Sequence, residues 1–182
     1  DDSLPAKVGR VGPTPRESAM EWDERTDEAQ DMVTRHLAEQ LDLPVEEFIA
    51  VFGAGWQALP NAGHDFDDSY GEGQIFGPWY IAGEPFQLML RVRPDLEAVE
   101  LARPKGIWVG HTLAWRPDFD GDTVPVGVRL LETAGPIVNA ILKRRRQSFR
   151  YCRYCRRITA PEDRMDADLC HGCASIWQGV VY

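Results

Sequence analysis

The chain has 182 residues, 43% hydrophobic and 27% charged, with a formal net charge of −9. The apolar share is too high for a disordered chain, and no apolar run reaches the roughly 20 residues that cross a bilayer. The charge is unevenly placed: residues 1–139 hold 11 Lys+Arg against 25 Asp+Glu, whereas residues 140–182 hold 9 against 4 and carry all four cysteines.

Residues 1–16, with Pro5, Gly9, Gly12, Pro13 and Pro15, read as an extended arm. They lack the basic and apolar pattern of a secretory signal, so a cytoplasmic setting is expected. An acidic body, residues 17–147, follows. From Thr26, Ala29, Met32, Val33, His36, Leu37 and Leu41 recur at helical spacing, with acidic residues crowding the start. Pro44 suits the first turn of a second helix whose stripe is Val45, Phe48, Ile49 and Phe52, ended by Gly53.

Residues 53–73 are rich in Gly, Asp and Asn and read as a loop. The period then changes to two. One strand is expected over Ile75–Ala82 and another over Phe86–Arg93, with a turn at Pro94-Asp95 and a short strand at Val99–Leu101. Arg103-Pro104-Lys105-Gly106 reads as a turn, and Ile107, Val109, His111, Leu113 and Trp115 as one face of a further strand. Asp118–Pro125 reads as a polar loop, and Pro136–Gln147 as a last helix with Ile137, Val138, Ile141 and Leu142 inward. Two helices, an antiparallel meander and a further helix define an α+β body. The tryptophans of the middle section are expected to fill its core.

The remaining segment, residues 148–182, carries the strongest motif. Cys152-Arg153-Tyr154-Cys155 is followed after fourteen residues by Cys170-His171-Gly172-Cys173. Two CxxC hooks bring four sulfurs onto one ion, and four thiolates in a tetrahedron suit Zn²⁺. Such a site leaves no position for water, so the metal would be structural. Disulfides need an oxidising compartment, and a redox CxxC would sit in a thioredoxin-like βαβ pattern absent here. Cys152-x2-Cys155, Arg164, Leu169-Cys170-His171-Gly172-Cys173-Ala174 and Ile176-Trp177 resemble a GATA-like treble-clef zinc finger. Over these last 35 or so residues the resemblance implies a first knuckle, a β-hairpin and a short helix, with Cys152, Cys155, Cys170 and Cys173 as ligands.

Lys143, Arg144, Arg145, Arg146, Arg150, Arg153, Arg156 and Arg157 interleave with Phe149, Tyr151 and Tyr154. Guanidiniums release counterions from phosphates and aromatic rings offer stacking faces, so these residues are candidates for nucleic-acid binding. Cations at a helix C-terminus also complement its dipole, and they could dock the tail on the acidic body or on another subunit. Three functions therefore stand: a non-enzymatic nucleic-acid-associated protein, a protein-interaction or oligomerisation unit with structural zinc, and an enzyme in the α+β body. The enzyme would use His64, His111 and the acidic stretches His64–Asp68 and Asp118–Asp122, for which solvated turns are the plainer reading.

Overall fold

A computed structural model describes residues 15–59 and 77–179. Helix α1, Pro15–Gln40, begins well before the expected Thr26, inside what reads as the extended arm. Its buried face is also rotated from the expected stripe. Thr34, Leu37, Ala38 and Leu41 are buried, whereas Ala29, Met32 and His36 face solvent. Thr34 tolerates burial because its hydroxyl donates to the Gln30 carbonyl at 2.8 Å.

Helix α2, Val45–Phe52, forms where expected, with Pro44 before its first turn and Gly53 closing it at φ 83, although Ile49 of the expected stripe faces solvent. That left-handed value is the reason a glycine stands there. Phe48 and Phe52 are its buried residues.

Five antiparallel strands form a sheet in sequence order: β1 Gln57–Leu59, β2 Trp79–Ala82, β3 Leu88–Arg93, β4 Ala98–Val109 and β5 Thr112–Pro125. β1 falls within the segment read as loop, and His64 and residues 64–68 lie outside the described residues. The largest departure concerns β4 and β5. Arg103–Gly106 is no turn but the middle of β4, and Asp118–Pro125 is no loop but the end of β5. β3 pairs with β4 only as far as Ala102, after which β4 runs on as a two-stranded ribbon with β5. Along that ribbon Pro104 lies opposite Pro117. Missing N–H groups are tolerated there because, among the described residues, this part of β4 has no second strand neighbour and β5 is an edge strand. The actual turn is Gly110-His111, which places His111 at an exposed hairpin tip instead of on a strand face.

Helix α3, Leu130–Gln147, starts six residues before Pro136, which lies inside it. Leu130 and Ala134 are 2% and 0% exposed, and this packing holds the early turns despite the lost backbone bond. The helices cover one face of the sheet. Leu37, Phe48, Trp56, Leu88, Leu90, Leu101, Val124 and Val138 belong to that core. The other face holds a smaller cluster of Trp79, Ile81, Met89 and Ala102, closed by Phe86 and Trp115 with ring centroids 5.0 Å apart. Double burial explains why Met89 is fully buried on the polar phase of the β3 alternation. No helix among the described residues is long and apolar enough to cross a membrane.

Trp56 is fully buried, meets Phe48 edge-on at 6.2 Å and donates to the Gly53 carbonyl at 3.0 Å. Trp56→Ala is expected to cost about 3–5 kcal/mol in denaturant unfolding. Met32→Ala, on the exposed face of α1, is expected to stay within about 0.5 kcal/mol of the parent.

Candidate metal centre and the arginine-rich surface around it

After α3 the chain makes two short hairpins. β6 Arg150–Tyr151 pairs with β7 Ile158–Thr159, and β8 Arg164–Asp166 with β9 Leu169–Cys170, before helix α4, His171–Gln178. The turn between β6 and β7 is a knuckle closed by backbone bonds, Arg156 N–H to the Cys152 carbonyl at 2.9 Å and Cys152 N–H to the Arg157 carbonyl at 3.0 Å. Cys152 and Cys155 project from it. Cys170 caps α4, its sulfur accepting from the Cys173 N–H at 3.4 Å, and Cys173 sits in the first turn.

The four Sγ atoms lie within 4.8 Å of one another, with Cys155 and Cys170 at 3.9 Å. A tetrahedron with metal–sulfur bonds of about 2.3 Å has edges of about 3.8 Å, so the cluster matches a four-sulfur metal site. Among the described residues it is the one grouping of three or more His, Cys, Asp or Glu that could hold an ion. The thiols differ in acidity. Backbone N–H groups of Cys170, then of Cys155, pull Cys152 down to about 6. Burial, followed by the neighbouring thiols, pushes Cys173 up to about 12. A cation entering this site displaces protons, so its affinity falls as pH falls.

The eight cations divide. Lys143, Arg144, Arg146, Arg150, Arg153, Arg156 and Arg157 are exposed. Arg145 is buried and is withdrawn from the candidate nucleic-acid surface. It makes a bidentate pair with Glu162, donates from Nε to the Phe86 carbonyl at 2.9 Å and lies 5.1 Å from the Phe149 ring centroid. The side chains of the pair are 4% and 3% exposed. Helical phase places Arg145 on the face of Ala134, Val138 and Ile141, which is the signal that singles it out from its neighbours.

Glu162 is the meeting point. Its carbonyl accepts from Trp108 Nε1 at 2.9 Å, so the β4–β5 ribbon touches the cysteine module there. A Cβ on Gly106 would come within 2.7 Å of the Glu162 Cβ, so only glycine fits that approach. Trp108 also meets His171 edge-on at 5.5 Å.

Three of the remaining cations have local partners that fix their side chains. Arg146 reaches Gln87, Arg150 donates to the Gln147 and Phe149 carbonyls, and Arg153 lies 3.7 Å from Asp168. Lys143, Arg156 and Arg157 form no ion pair among the described residues.

Of the enzyme candidates among the described residues, His111 and Asp118 do not converge. Asp118 is paired with Arg103, and it stands six residue steps along β5, about 20 Å at the usual rise, from Thr112 beside His111. No protein-family model, curated protein or solved structure matches the chain.

Removing one partner of a buried pair strands the other charge. Arg145→Ala or Glu162→Ala is expected to cost about 3–5 kcal/mol in chemical denaturation, and replacement of both by Met and Leu to recover most of it.

Proposed function

We propose that the four thiolates hold a structural zinc ion in a treble-clef arrangement, and that the exposed cations around it bind nucleic acid. Support for zinc comes from the donor set and spacing, and from the order knuckle, hairpin, helix. When bound, the ion would neutralise the thiolates and tie the β6–β7 knuckle to the start of α4. Purified protein is expected to contain one zinc per chain by elemental analysis. Chelation should make residues 148–179 sensitive to protease, and Cys155→Ser should lower the zinc content.

The observation that carries the nucleic-acid reading is a stretch without carboxylates between Glu132 and Glu162, in which seven of eight cations reach solvent. Neutralising a phosphate with each releases counterions, the main source of affinity for nucleic acid. The backbone of Arg156 adds to this. It sits in the left-handed region at φ 59, where a side chain costs about 1 kcal/mol and glycine would cost less. An exposed cation standing at a strained position suits a role in contact.

Reversing Arg146, Arg150 and Arg157 to Glu is expected to abolish oligonucleotide binding in a gel-shift titration. Arg156→Gly separates the two roles. It should stabilise the fold by about 1 kcal/mol while weakening binding and flattening its salt dependence by just under one unit of slope. Unchanged affinity in all these variants would overturn the reading.

A further inference from the structure

The module exposes aromatic rings as well as cations. Tyr154 and Trp177 stack on each other with centroids 6.0 Å apart and planes 14° apart. They nevertheless remain 46% and 66% exposed, and Tyr151 is 64% exposed. The Arg153 guanidinium lies 5.1 Å from the Tyr154 ring centroid. Upstream, a groove of about 370 Å³ is lined by Glu84, Pro85, Arg146, Phe149, Tyr151 and Ile158, among others. Solvated rings of this size, concentrated in one short segment, mark a contact surface.

A duplex offers such rings little, because its base faces are already stacked. Duplex reading by a helix also needs cations or amides on that helix to fix it against phosphate and base edges. Helix α4 carries no Lys or Arg, and its N-terminus is taken up by the cysteine cluster. The cations lie instead on the C-terminal end of α3 and on the knuckle, interleaved with Phe149, Tyr151 and Tyr154. Guanidiniums along a backbone path with rings between them suit unpaired bases, which stack on any π-face without regard to sequence.

We infer that the ligand of this surface is single-stranded nucleic acid, with phosphates on Arg146, Arg150, Arg153, Arg156 and Arg157 and bases stacked on Tyr151 and the Tyr154–Trp177 pair. The inference rests on the nucleic-acid reading above and narrows it.

The test compares the zinc-loaded full chain against dT and U homopolymers of about 20 nucleotides and a mixed-sequence duplex of the same length, by fluorescence anisotropy at fixed salt. One or both single strands should bind at least about tenfold tighter than the duplex, and the tighter of the two identifies DNA or RNA. Tyr154→Ala and Trp177→Ala should each lose about tenfold for the strand and little for the duplex. Tyr154→Phe and Trp177→Phe should restore binding, and zinc content reports that the variants fold. Duplex binding equal to or tighter than strand binding overturns this inference while leaving nucleic-acid binding in place. No binding to any probe overturns both. A homodimer that Trp177→Ala dissociates, without oligonucleotide binding, assigns the surface to a second copy and overturns both as well.

Discussion

A guanidinium and a carboxylate, both removed from water, hold the C-terminal segment against the sheet. Desolvating Arg145 and Glu162 costs several kcal/mol per ion, so the pair must recover that through geometry. It does so with two parallel N–H···O bonds, a third bond to the Phe86 carbonyl and the face of Phe149. An apolar contact of the same area would stabilise as much, but it would not be directional. The fork accepts one orientation of Glu162, and that residue is also gripped by Trp108 and crowded by Gly106. Helix α3, the β4–β5 ribbon and the cysteine module thus share one fixed point.

Attraction between the acidic and basic parts of the chain does not account for this pair. Arg145 and Glu162 both belong to residues 140–182, the basic part. Body carboxylates near the sheet are occupied by body arginines: Glu100 by Arg91 and Arg93, Asp118 by Arg103. Beyond such contacts, exposed charges are screened within about 8 Å at physiological salt. A difference of overall charge between two parts of a chain therefore does not dock one on the other. Local geometry decides it, and it leaves the cations beside Arg145 at the surface.

This also explains which parts were legible in the sequence. Spacing alone located the four cysteines, because ligand chemistry demands paired hooks whatever surrounds them. The α+β order and α2 followed from periodicity. The long ribbon did not, since Pro104, Gly106 and Pro117 are ordinary turn residues. Gly106 is required by Glu162, which lies 56 positions away, and no local pattern carries that requirement. The buried face of α1 was misplaced because Met32 is apolar but exposed, and Thr34 is polar but satisfied by its own helix. Arg145 looked like its neighbours by composition and differed from them only by phase.

The metal cluster and the ion pair are also coupled through the chain. Glu162 lies near the middle of the segment between Cys155 and Cys170, the same segment that a bound ion would close. Closing a loop costs conformational entropy, and a segment already pinned at its centre has less left to lose. Each closure would therefore favour the other: a bound ion would help present Glu162 to Arg145, and the pair holds the segment between the two cysteine hooks at its centre. The knuckle that carries Arg153, Arg156 and Arg157 stands at one end of that doubly closed segment. Its cations are thus fixed by a sulfur cluster on one side and a buried carboxylate on the other, without being consumed by either.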